Sequence, residues 1–400
     1  MGLAQQDFSG EPVALSDVSE QANGLTVSWA DGLDSFFHFV WLRDCCYCEL
    51  CGDSYSSKRF VVPSDVPLDV RPSSLAIGDG GELTITWAHD SHQSCYPSAW
   101  LRQNRYDDEA RAARRHHPTL WDATINDAPP AVDYEAALNN DNDRLDFYRK
   151  LRDYGFVLVR GGPKEPGFVE EVAMMIGDLG VSAYDRIFDL SPKGKHNTMG
   201  NTFRTVPPHT DEAYRFAPPG INVLGCIRPA DEGGDSILVD GFHLGETLRH
   251  QDPGSFDLLA RTPNVFHRIH EDQIDQRCHT RMFALDENEN IVGVRIHTRS
   301  SGPMDLPADL VEPFFAAYHK LSALMMAPEN QARFALQAGD TLIFDNQRVL
   351  HARTNFTGAD RHLQICNVSR EEFHQRLRML ARSMGYVDEA AQVLTQGVVW

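Results

Sequence analysis

The first hundred residues alternate apolar and polar positions over short runs, and two of these runs nearly repeat each other. Gly24–Ala30 reads GLTVSWA and Glu82–Ala88 reads ELTITWA. Alternation sends every second side chain to one face, so both segments predict half-buried strands, and their likeness predicts that they pair in a small β domain. Arg105–His117 carries the basic run RAARR and stops at Pro118, which predicts a linker or an exposed helix. These changes of pattern divide the chain into 1–105, a linker over 106–119, and 120–400.

In the second part the period first becomes helical. Asp143–Tyr154 has helical spacing with Gly155 as its C-cap, the apolar run Phe156–Val159 predicts a buried strand, and Phe168–Leu179 predicts another helix. Beyond about residue 200, short strands separated by Gly and Pro take over: Ile221–Ile227, Ser236–Val239, Ile291–Ile296 and Thr341–Phe344, with a helix over Leu310–Met326 between them. Strands at this spacing predict a sandwich or jelly roll rather than βαβ units, hence a mainly β protein with flanking helices.

Composition narrows the function. With 57 acidic against 37 basic residues the formal net charge is −20, a surface that repels phosphate backbones and anionic lipid, so neither nucleic acid nor membrane is expected as a partner. No run approaches 18 apolar residues, and the N-terminus lacks the basic and apolar regions of a secretory signal. Position 6 is Gln, which breaks the myristoylation pattern behind Gly2. A cytoplasmic protein is expected. There, the crowding of Cys45, Cys46, Cys48 and Cys51 points to metal rather than to disulfides. Cys46, Cys48 and Cys51 can fill three corners of a tetrahedral zinc site. The fourth ligand is expected to be His92, with His89 and Cys95 as competitors and Cys45 leaving the register open. Four protein ligands close such a site, so its role is structural.

A second metal motif lies in the larger part. The facial triad that binds non-haem Fe(II) uses two His and one carboxylate and leaves positions open. H-x-D alone says little: about two or three matches are expected by chance in this composition, and three occur, at His209–Asp211, His250–Asp252 and His270–Asp272. His250 closes a helix before Pro253 and His270 lies in a polar stretch, whereas His209 follows two prolines and precedes the strand INVLGC. The buried strand GDTLIF then leads to His351, and ten residues further lies Arg361, a guanidinium able to pair bidentately with a carboxylate. His209, Asp211 and His351 are therefore the expected iron ligands.

The stretches PPHTDEAY, PPGINVLGCIRPADEGGDSILVDGF, GDTLIFDNQRVLHARTNF and RHL resemble the γ-butyrobetaine hydroxylase and trimethyllysine dioxygenase family, within the taurine-dioxygenase-like group, along almost the whole chain. The resemblance implies a double-stranded β-helix, Fe(II) with 2-oxoglutarate and O2 as cosubstrates, Arg361 and Ser236 at the 2-oxoglutarate carboxylate, and a homodimer. It also implies a small N-terminal domain with a cysteine cluster after WLRD and a histidine in a D-x-H-x-S-x-Y context, met here by Asp90–Tyr96.

Family members acting on trimethylammonium compounds hold the cation in an aromatic cage. Tyr184 and Phe188 fall at cage positions, with Asp185 between them able to add Coulomb attraction, and Asn201 near a cage position. Where the family holds a substrate carboxylate, this chain has Arg295 and Arg299. Two guanidinium groups suit an anion with more oxygens than a carboxylate, so the expected substrate is a small trimethylammonium zwitterion ending in phosphonate, such as 2-(trimethylammonio)ethylphosphonate. γ-Butyrobetaine and trimethyllysine are the alternatives, and a non-catalytic zinc-stabilised β scaffold is the alternative outside enzymes.

Overall fold

The computed structural model describes residues 13–53, 58–182, 185–193, 198–270 and 274–392. The described residues form two compact units, 13–116 with 381–392 and 117–380.

In the first unit, two three-stranded antiparallel sheets are built in chain order, Leu15–Glu20, Gly24–Trp29 and Asp34–His38 in one, Pro72–Ile77, Leu83–Trp87 and Gln93–Tyr96 in the other. The two look-alike strands are present, but they do not pair. Each is the middle strand of its own sheet, with both edges taken by its sequence neighbours. What they share is a core: Leu25, Val27 and Trp29 from one, Leu83, Ile85 and Trp87 from the other, all at most 1 % exposed. Each tryptophan indole N–H is satisfied inside that core, Trp29 by Ser98 Oγ and Trp87 by Ser94 Oγ, both at 2.9 Å.

The segment expected as a linker or an exposed helix holds a short helix without a buried residue, Asp108–Ala113, and groups with this unit. Asp107 caps the helix Asp108–Ala113 by accepting from Ala110 N at 3.0 Å and from Ser35 Oγ at 3.2 Å, and Arg114 donates to the carbonyls of Gln103 and Arg105. Those bonds tie 105–114 down, so the division falls at His116 rather than across a free connector.

The second unit is built around two large sheets, with three two-stranded ribbons beside them among the described residues. The six-stranded one runs in the order Phe188–Leu190, His362–Val368, Ile221–Arg228, Thr341–Asp345, Phe156–Arg160, Ala131–Asp133. The four-stranded one runs Val206–His209, Val349–Arg353, Ser236–Asp240, Ala332–Phe334. From Val206 onward the chain passes repeatedly between the sheets, the winding of a double-stranded β-helix. Phe156–Val159, Ile221–Cys226 and Thr341–Asp345 are buried at every position, because both faces of the larger sheet are covered.

Helix Asp141–Tyr154 starts on Asn140, whose side chain accepts from Asn142 N at 2.8 Å, and ends on Gly155 at φ 74°, as expected of a glycine cap. The helix expected over Phe168–Leu179 stops at Met174. Beyond it Gly177 passes so close to Glu372 that an added Cβ would lie 2.4 Å from its Cβ, a packing constraint that a helical pattern does not reveal. Helices Gly241–Gln251, Pro253–Arg261 and Ala308–Met326 share one core with Ile237 and Val239 of the smaller sheet. No described helix is long and apolar enough to cross a membrane.

One buried ion pair joins these parts. Arg348 meets Asp240 in a bidentate contact at 3.2 and 2.9 Å, with side chains 3 % and 0 % exposed. Its remaining N–H groups go to the carbonyls of Asp153 and Thr119, and Asp240 also accepts from the backbone N–H of Trp121 and Phe242. Full satisfaction of both partners is what makes such a buried pair tolerable.

Candidate metal centres and the cavity between the sheets

In the first unit, helix Phe39–Asp44 delivers the chain into the cysteine cluster, and the turn after Leu83–Trp87 delivers His92. His92 Nε2 lies 3.4 Å from Cys46 Sγ and 3.5 Å from both Cys48 Sγ and Cys51 Sγ. A tetrahedral zinc bonded to sulfur at ~2.3 Å and nitrogen at ~2.0–2.1 Å puts those atoms about 3.5 Å apart. The donor set therefore fits a closed zinc site. Asp90 Oδ1 accepts from His92 N at 3.0 Å, and Arg43 spans Asp90 and Cys51, placing a guanidinium beside the sulfurs. Without a metal, burial pushes the Cys51 thiol up to about 12 and also raises Cys46. Of the competitors, His89 is paired with Asp90, Cys95 points outward from its strand, and Cys45 packs against the unit's core.

In the second unit, Val206–His209 pairs antiparallel with Val349–Arg353, and the register places His209 directly opposite His351. Asp211 follows on the loop. Its Oδ1 lies 3.4 Å from His209 Nε2 and 3.6 Å from His351 Nε2, so one oxygen and two nitrogens converge on one point. His209 Nδ1 donates to the Pro207 carbonyl at 2.9 Å, which keeps the proton off Nε2 and leaves its lone pair for a metal. Burial holds His351 down to about 3, so it is neutral at physiological pH. Burial would raise Asp211, but His351 and His209 beside it outweigh that and hold its carboxyl well below the usual range. These are the protonation states that metal binding requires.

Two asparagines fix Asp211. Asn346 accepts from its N–H at 2.6 Å and donates to its carbonyl at 3.1 Å. Asn222 donates to Oδ2 at 2.9 Å, occupying the oxygen that does not face the histidines. Replacing Asn222 with Ala frees that carboxylate to rotate. Loss of an outer-shell partner of this kind typically weakens metal affinity about 10–100-fold, and the expected rise in the Fe(II) concentration for half-maximal activity reads it directly.

The three residues line a cavity of about 390 Å³ between the two sheets. Arg361 reaches it from the start of His362–Val368, is 4 % exposed, and has a buried Nη1 with no partner among the described residues. Burial pulls its pKa down to about 10, so it stays charged at neutral pH. A buried cationic donor without an acceptor is costly, and the carboxylate of 2-oxoglutarate would satisfy it. Ser236 lines the same cavity. Arg353, also buried, is occupied differently: it donates to the carbonyls of Gly200, Thr202 and Arg204 and so holds the segment before Val206–His209 against the sheet. The decoy histidines His250 and His270 are exposed.

The residues proposed for substrate separate. Asp185, Phe188 and Arg299 line the cavity. Tyr184 lies outside the described residues. Asn201 is not among the lining residues; its side chain accepts from Ser191 N at 3.1 Å. Arg295 is a correction: it is 1 % exposed, away from the lining, and its guanidinium donates to the carbonyls of Ala213, Arg215 and Phe216 and meets Cys278 Sγ at 3.1 Å. It lies just past the end of strand Ile291–Val294, where the alternation of a strand no longer sets the direction of the side chain. Tyr214, Arg268 and His297 line the cavity without having been singled out. Tyr214 stood in the quoted PPHTDEAY and His297 beside Arg299, whereas nothing local marked Arg268.

A two-sheet β-helix, a His-Asp-His constellation and a buried arginine facing the same cavity define a non-haem iron oxygenase. The chain belongs to the family described as taurine catabolism dioxygenase TauD, TfdA, whose model matches residues 118–367; residues 16–103 match the gamma-butyrobetaine hydroxylase-like N-terminal model. Within that family it is 34 % identical over 373 residues to the gamma-butyrobetaine dioxygenase of Pseudomonas sp. (strain AK-1), spanning 92 % of this chain and 96 % of that one. It is 28 % identical over 381 residues to the Homo sapiens gamma-butyrobetaine dioxygenase, with 92 % and 97 % covered. It is also 28 % identical over 384 residues to the trimethyllysine dioxygenase of Meyerozyma guilliermondii, with 90 % and 94 % covered. The protein is an Fe(II)- and 2-oxoglutarate-dependent dioxygenase of the γ-butyrobetaine and trimethyllysine hydroxylase group.

Proposed function

We propose that this dioxygenase, acting as a cytoplasmic homodimer, hydroxylates a small trimethylammonium zwitterion, with γ-butyrobetaine as the first candidate. The observation that carries this reading is the cavity lining, where Phe188, Tyr214 and Asp185 share one space with cationic groups and with the His209, Asp211 and His351 centre. Ring faces and a carboxylate attract a quaternary ammonium, which cannot donate hydrogen bonds. The names of the relatives, all for carboxylate-bearing betaines or amino acids, support a carboxylate at the other end.

Bound together, iron and 2-oxoglutarate supply the oxidising chemistry, one oxygen atom of O2 going to substrate and one to succinate as CO2 leaves. His209, Asp211 and His351 would hold the iron, and Asn222 would aim one carboxylate oxygen at it. Arg361, with Ser236 beside it, would fix the far carboxylate of 2-oxoglutarate. The lining residues would set the position of the substrate carbon.

A second reading keeps the phosphonate-ended 2-(trimethylammonio)ethylphosphonate. Removal of Arg295 from the cavity weakens it, while the presence of both Arg268 and Arg299 in the lining favours it. Parallel turnover of γ-butyrobetaine, trimethyllysine and the phosphonate, followed as gain of one oxygen atom with stoichiometric CO2, decides between them. Faster turnover of γ-butyrobetaine is the expected result. Failure of all three to gain oxygen would refute the trimethylammonium reading.

A further inference from the structure

The hairpin Asn264–His270 with Ile274–Thr280 stands beside the cavity and is fastened to the segment that carries Arg299. Phe266 bridges antiparallel to Ser301, and Gly302 N donates to the Val265 carbonyl at 2.8 Å. The 3-10 turn Thr298–Ser300 immediately precedes that bridge and lies against the first hairpin strand, so Arg268 on the hairpin and Arg299 on the turn come to one cavity lining. The base of the hairpin is anchored by Phe266, fully buried with Ala213 and Tyr214, three residues that share a small core next to Asp211.

The two arginines differ in their surroundings. Arg299 donates from Nη2 to His297 Nε2 at 3.3 Å. A guanidinium can only donate, so His297 accepts through Nε2 and serves as the fixed point for Arg299. His297 in turn stacks at 5.0 Å on His209, and its neighbour Ile296 is zipped to Thr210 through N–H···O contacts at 2.7 and 3.1 Å. Arg299 is therefore positioned from the metal-binding loop. Arg268 has a buried Nε with no hydrogen-bonding partner among the described residues, and it lines the cavity.

We propose that Arg268 is the specificity-determining residue that receives the anionic end of the substrate, with Arg299, steadied by His297, as its partner on the adjoining turn. This rests on the zwitterion reading of the cavity. Like charges lining one cavity repel, and an anion set between them offsets that repulsion and gives Arg268 an acceptor. The planar fork of a guanidinium suits the paired oxygens of a carboxylate and equally those of a phosphonate. In a chain of net charge −20, such a local cationic wall is also what lets an anionic group approach at all.

The test compares wild type, Arg268→Gln and Arg268→Lys on three compounds: γ-butyrobetaine, 2-(trimethylammonio)ethylphosphonate, and the neutral carboxamide of γ-butyrobetaine, which keeps the cation and loses the anion. A hydrogen bond to a charged group contributes enough that Arg268→Gln is expected to raise KM for whichever zwitterion the wild type uses by about 10–100-fold. The Lys variant recovers part of this, having the charge without the fork. KM for 2-oxoglutarate and KM for the carboxamide stay at the wild-type values, which also reports that the variant is folded. An unchanged KM for the zwitterion in Arg268→Gln overturns the assignment of Arg268 and leaves the zwitterion reading standing, as does an equal rise for the carboxamide. A wild type that hydroxylates none of the three overturns the zwitterion reading itself.

Discussion

Asp211→Asn is expected to abolish Fe(II)-dependent decarboxylation of 2-oxoglutarate, and with it substrate hydroxylation. Asp211 supplies the only carboxylate in the constellation, and its Oδ1 stands 3.4 and 3.6 Å from the two imidazole nitrogens. Asparagine keeps the volume and can keep the contact with Asn222 by rotating its amide, but it removes the negative charge that offsets a divalent cation. Since outer-shell partners alone are worth about 10–100-fold in affinity or activity, loss of an inner ligand should exceed the upper end of that range. Release of labelled CO2 and anaerobic Fe(II) titration measure the two effects separately. Retention of Fe(II) affinity and CO2 release by Asp211→Asn would be incompatible with the proposed centre. His351→Ala is expected to behave alike.

The second large effect belongs to the other metal. Cys51→Ser should lower bound zinc from one per chain to background and unfold the N-terminal unit. Structural zinc contributes about 10–16 kcal/mol of apparent binding free energy in finger peptides, against a total domain stability of about 5–15 kcal/mol. The unit also has an apolar core, so the loss is smaller than the finger value yet comparable to what holds the unit together. Trp29 and Trp87, both buried, report unfolding as a red shift in emission, and elemental analysis reports the zinc. Cys95→Ser is the control: that side chain is exposed, and zinc content should not change. A folded, zinc-loaded Cys51→Ser protein would move the site elsewhere.

What could be read from the chain follows from the range of the interactions involved. Helix Asp141–Tyr154 and the strands around Ile221 and Thr341 rest on local spacing and on a glycine cap, and they were legible. Cys46, Cys48 and Cys51 lie within one turn of chain, so three of the four zinc-cluster positions announced themselves. His209 and His351 were legible only through their separate strand contexts and through Arg361, because the pairing that joins them spans the whole β-helix. The look-alike segments GLTVSWA and ELTITWA predicted a pairing that is absent, since identical alternation suits two strands facing across a core as well as two strands side by side. Arg295 and Arg299 sat in one strand-like run, and only the bend after Val294 sends one to backbone carbonyls and the other to the cavity. Arg268 was hidden in a polar stretch because its place depends on a hairpin docked through Phe266.

The direct opposition of His209 and His351 ties folding to metal capture. Side chains alternate faces along a strand, so a slip of one residue between Val206–His209 and Val349–Arg353 would turn one of these imidazoles away from the cavity. A chain trapped in that slipped pairing could not assemble two nitrogens around one ion. Iron present during folding would favour the native pairing over a slipped one, by about 2.7 kcal/mol when it exceeds its dissociation constant a hundredfold. Expression under iron limitation should leave a larger misregistered fraction than expression with iron supplied.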